Sequence, residues 1–88
     1  MKLIEGFVVC EVGGKTVAVA SGALSKKFNG MITLNSTGKL LFEKLQTGCT
    51  REELIAALTG TYGVDEETAS KDVDAYLAVL TNRGLLVS

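Results

Sequence analysis

The chain has 88 residues, a net charge of −1 and a hydrophobic fraction of 47%. That is enough apolar side chain for one folded core and too little chain for two. The composition excludes a disordered chain, and the size favours a binding module over an enzyme with its own deep pocket.

The opening "MKLIEGFVVCEVGG" has the apolar look of a targeting segment, but Glu5 and Glu11 interrupt it. No run approaches the roughly 18 apolar residues of a membrane-crossing helix. The expectation is a soluble cytoplasmic protein without a membrane partner. "FVVCEV" and "KTVAVA" follow as strands of about 6–12 and 15–20, joined by Gly13-Gly14. Both glycines tolerate positive φ, so a two-residue hairpin turn is predicted. "SGALSKKFNG" reads as a loop closed by the turn dipeptide Asn29-Gly30, and a third strand covers about 30–34.

Three helices complete the chain. The first, about 36–47, carries Leu41, Phe42 and Leu45 as one apolar stripe, with Asn35 or Ser36 as cap and Gly48 as a left-handed stop. The second, about 51–59, opens with the capping box Thr50/Glu53, buries Leu54, Ile55 and Leu58, and is expected to end at Gly60. The third, about 66–82, is capped by Asp65 and stopped by Gly84, and it turns Ala69, Val73, Tyr76, Leu77 and Leu80 to one face. Val79 widens that face on the Tyr76 side only, beside Asp72 and Arg83. "LLVS" is an apolar tail that can pack on the sheet. The order β-β-β-α-α-α describes a single α+β domain over 1–88. Its character is winged helix-turn-helix-like, a three-stranded antiparallel sheet followed by three helices.

Catalytic constellations are scarce. The chain has no histidine, no phosphate-binding glycine loop and no cysteine cluster, so neither a cofactor nor enzymatic activity is expected. Glu52-Glu53 and Glu66-Glu67 sit in first helical turns, where the helix dipole accounts for them. Cys10 and Cys49 lack the spacing of a metal site or disulfide framework and fit a reducing compartment. Residues 1–34 hold four lysines against two glutamates, a net +2, whereas residues 35–88 hold five Lys/Arg against eight Asp/Glu, a net −3. The half that would enter a DNA groove is the acidic half, which argues against nucleic acid.

Two features admit a functional reading beside a structural one. "NSTG" (35–38) is a helix cap, but it ends Met31-Ile32-Thr33-Leu34 abruptly. That strand carries no lysine, proline or other guard against pairing with another chain. Tyr76 and Val79 either finish the core of a long helix or line a groove with Asp72 and Arg83 at its rim.

"LNSTGKLLFEKLQTGCTREEL" and "YGVDEETASKDVDAYLAVLTNRGLL" together resemble the PqqD family, the coenzyme PQQ synthesis protein D type, over about residues 7–87. The family is the peptide-recognition domain of ribosomal peptide natural-product pathways, the RiPP recognition element. Phe42 stands where many members have Trp. The resemblance implies a non-catalytic module that binds the leader of a precursor peptide by β-strand addition. The leader would seat on Met31, Ile32, Thr33 and Leu34, facing Asp72, Ala75, Tyr76 and Val79. The module would then present the precursor to a modifying enzyme of the radical SAM type. The bare strand edge also admits a homodimer. The alternative is a winged-helix domain that binds DNA or docks on a protein.

Overall fold

The computed structural model describes residues 1–27 and 31–87; the Asn29-Gly30 turn expected from the sequence lies outside them. Strands β1 (Lys2–Leu3), β2 (Phe7–Val12), β3 (Lys15–Ala20) and β4 (Met31–Leu34) precede helices α1 (Ser36–Thr47), α2 (Arg51–Tyr62) and α3 (Glu66–Asn82). A last strand, β5 (Leu86–Val87), ends the fold.

The three-stranded antiparallel sheet runs in the order β2-β3-β4. Its hairpin turns at Gly13 and Gly14 with φ of 58° and 80°, the conformation the Gly-Gly pair predicts. Val12 faces Lys15 across the turn, and Phe7 faces Ala20 at the far end. β4 pairs with β3 from Thr16↔Leu34 to Val19↔Met31. The segment read as a loop after β3 contains a short 3-10 helix, Gly22–Lys26, which buries Leu24.

The helices are set by local signals. The Asn35 side chain accepts the Gly38 N–H, Thr50 and Glu53 form the reciprocal capping box, and Asp65 accepts from the Thr68 N–H. α3 ends as the sequence predicts, at Gly84 (φ 71°). There Leu85 N–H bonds to Leu80 O and Gly84 N–H to Thr81 O, a Schellman closure with both leucines buried.

Two expectations need correction. α2 does not stop at Gly60: it continues to Tyr62, and Gly63 is the left-handed residue, with φ 67°. Gly60 is a helix-interior glycine, tolerated because the flanking residues keep the hydrogen-bond ladder. The apolar tail does not lie on the main sheet. Leu86 and Val87 pair antiparallel with Leu3 and Lys2 in a second, two-stranded sheet. Ile4 N–H extends that pairing with a bond to Leu85 O at 2.9 Å. A pairing between segments more than eighty residues apart leaves no local signature in sequence.

The core lies between the sheet's inner face and the helices. Phe42, Leu45 and Leu54 are fully buried, with Leu58, Val73, Leu80 and Leu85 around them. Phe7 on β2 meets Phe42 on α1 edge-to-face, ring centroids 5.5 Å apart. This packing fixes α1 against the sheet, and α3 packs on α2. α3 therefore stands alongside β4 without closing over its edge, so a gap is left between them.

Candidate functional site

The site starts from the joint between β4 and α1. Asn35 ends the strand, and its carboxamide oxygen accepts from the Gly38 N–H at 2.7 Å and from the Thr37 hydroxyl at 3.0 Å. A β-carbon on Gly38 would lie 3.0 Å from that oxygen and 3.6 Å from the Tyr76 ring. The tight contact is the one with the Asn35 oxygen, so the glycine leaves room for the cap, while the Tyr76 ring packs at ordinary van der Waals distance. The Tyr76 hydroxyl then donates to Gly38 O at 3.2 Å, which ties α3 to the first turn of α1. Burial of the ring pushes the phenol up to about 12, so the hydroxyl remains a donor across ordinary pH.

Between this tie and the strand lies a groove of about 880 Å³. Met31, Ile32, Thr33 and Leu34 form one wall, and Asp72, Ala75, Tyr76 and Val79 form the other. Every residue singled out from the sequence thus lines the same groove. Buried Leu41, Leu58 and Leu80 make its floor. Sequence reasoning did not single out Asn35, Thr37 or Gly38 as lining residues. Their capping role was readable, but their proximity to Tyr76 depends on where α3 packs.

Val79 is 52% exposed and Met31 56% exposed, so neither finishes the core. Tyr76 is half-buried, its ring held at the groove and its hydroxyl engaged. β4 has β3 on one side and no strand on the other among the described residues. In an antiparallel strand, alternate residues direct N–H and C=O away from the existing partner. The open side of β4 therefore presents backbone donors and acceptors beside an apolar floor. Cys10 and Cys49 are free thiols away from this groove.

Compared with known sequences, residues 16–86 match the PqqD family, coenzyme PQQ synthesis protein D. The chain belongs to the PqqD family. No curated protein matches it. Two solved structures share the PqqD-like fold of this chain. One is TbiB1 in complex with the TbiA(beta) leader peptide, at a TM-score of 0.74 and 24% identity, covering 98% of this chain and 94% of that one. The other is lasso peptide synthetase B1 complexed with the leader peptide, at a TM-score of 0.72 and 21% identity, covering 99% and 96%. The PqqD-family match leaves all of β1 and β2, the first residue of β3 and Val87 of β5 outside its range. It includes all of the groove-lining residues. No helix among the described residues is long and apolar enough to cross a membrane.

Proposed function

We propose that this PqqD-family domain binds the leader of a ribosomally made precursor peptide as an extra strand on β4. The observation that carries the reading is the unpaired edge of β4 lying open along the groove. A peptide placed there gains main-chain hydrogen bonds from the strand. Its alternate side chains point toward Tyr76, Val79 and the leucine floor. Membership of the family, and the leader peptides named for the two structural neighbours, support the same reading.

The domain acts without catalysis, holding the leader so that a modifying enzyme of the radical SAM type reaches the remainder of the precursor. The same edge accepts a second copy of the chain, and leader and second copy compete for it. Both engage the backbone of β4, so leader binding dissociates any such dimer.

The test is a titration of labelled leader segments from neighbouring precursor genes, followed through the backbone amide resonances of β4. Saturable binding with shifts concentrated in residues 31–34 is expected. Binding that leaves β4 unmoved, or no binding by a folded domain, refutes strand addition.

A further inference from the structure

The groove has an apolar leucine floor, uncharged polar groups from Thr33, Asn35 and Thr37 along its strand and joint side, and charge at two places. Among the described residues, Asp72 and Arg83 are its only charged lining residues. Taking about 100° per residue, Asp72, Tyr76, Val79 and Arg83 fall within an arc of about 60° on one side of α3. They form a single row: acid, aromatic, aliphatic, base. Lys71 and Asp74, on either side of Asp72, are engaged with Glu67 at 3.5 Å and with Arg51 at 2.7 Å. Asp72 and Arg83 make no ion pair among the described residues, and both are exposed. The groove thus has a negative end and a positive end, with both charges unspent.

We infer that the bound peptide is recognised by a complementary charge pair: a basic residue against Asp72 and an acidic residue against Arg83, with apolar side chains between them. This deepens the strand-addition reading and rests on it. The eleven steps from Asp72 to Arg83 span about 16 Å along α3 at ~1.5 Å per residue. An extended strand covers that length in about five residues at ~3.3 Å each. Side chains on one strand face recur every second residue, so the acid and the base stand four or six positions apart. The long arm of Arg83 absorbs the difference. The intervening residues on that face meet Tyr76 and Val79. The order of acid and base along the peptide then follows from the direction in which it runs beside β4. Reversing the peptide places like charges together, so the same two residues select orientation as well as composition.

The experiment selects binders from a random dodecapeptide display library on two proteins, the wild-type chain and the double reversal Asp72→Lys/Arg83→Glu. Both substituted sites are exposed, and circular dichroism checks that the fold is kept. Selected peptides are then made synthetically and titrated at low and high salt while the β4 amides are followed by NMR. The expected result is that wild-type binders shift the β4 amides and carry an acid and a base four or six residues apart. They should bind the double reversal roughly tenfold more weakly at low salt, and a peptide with its two charges exchanged should recover. Binders that shift the β4 amides but show no charge spacing, with equal affinity for both proteins, overturn this inference and leave strand addition standing. If no selected peptide shifts the β4 amides, strand addition itself fails, and the charge pairing fails with it.

Discussion

Tyr76 joins the groove to the fold, so replacing it with phenylalanine isolates one atom of the design. The ring stays, and the hydroxyl that donates to Gly38 O at 3.2 Å is lost. A partly buried hydrogen bond contributes ~1 kcal/mol net, within a range of about 0.5–1.5 kcal/mol. For a domain of this size that corresponds to a Tm lower by roughly 4–8 °C per kcal/mol. The pH dependence supplies a second readout. The phenol is raised from its ordinary 10.0 to about 12 by burial. The folded state therefore holds the proton more tightly than the unfolded chain. Its contribution is complete below pH 10 and is lost as pH rises through 12. The full linkage would be about 2.7 kcal/mol. Because the ring is partly open to solvent, about 1 kcal/mol is the realistic size.

The assay is urea denaturation of wild type and Tyr76→Phe at pH 7 and pH 11.5. At pH 7 the variant should be less stable by about 1 kcal/mol. At pH 11.5 only the wild type loses the tyrosine contribution, so the gap should narrow to near zero. A spectrophotometric titration of tyrosinate in a Tyr62→Phe background should place the Tyr76 midpoint near 12. A midpoint at the ordinary value, with a stability gap that ignores pH, refutes the packing of α3 on the α1 joint.

Four further outcomes follow from the same geometry. Val79→Asp puts a charge on an exposed groove residue, so the fold should survive by circular dichroism while affinity for a strand-adding leader falls at least about tenfold. Gly60→Ala should stabilise by up to about 1 kcal/mol in thermal melts, because a β-carbon there meets nothing within 4 Å in a helix interior. Gly84→Ala should destabilise by about 1–2 kcal/mol, because its φ of 71° lies in the left-handed region. In acid, Asp74 is held below the ordinary carboxylate value by the Arg51 guanidinium, and Asp65 by bonds from Thr68. Their contribution is present above that ordinary value and fades as pH falls through the lowered one. Asp65→Asn and Asp74→Asn should each flatten the acid limb of a stability-versus-pH curve.

The parts of the fold whose physics is local were readable from the residues alone. The Thr50/Glu53 box, the Asp65 cap and the Gly13-Gly14 hairpin each close within three or four residues, so side-chain identity at fixed spacing was enough; at the start of α1 it left Asn35 and Ser36 as alternatives, and the structure selects Asn35. The row Asp72–Tyr76–Val79–Arg83 was legible as a one-sided widening of α3 because helical periodicity is a property of the segment. The end of α2 was less so, since Gly60 and Gly63 are both competent stops and only the backbone conformation separates them. The pairing of Lys2 and Leu3 with Val87 and Leu86 left no mark on either segment. Two residues are too short for a pattern, and the partner lies at the opposite end of the chain. The groove belongs to the same class. Periodicity says which residues share a face of α3, but the face becomes a wall only because Phe7, Phe42 and Leu54 pack α1 and α2 where they do. Tertiary packing alone decided that Gly38 meets Tyr76, that Val79 stays in solvent and that the edge of β4 is left open beside them.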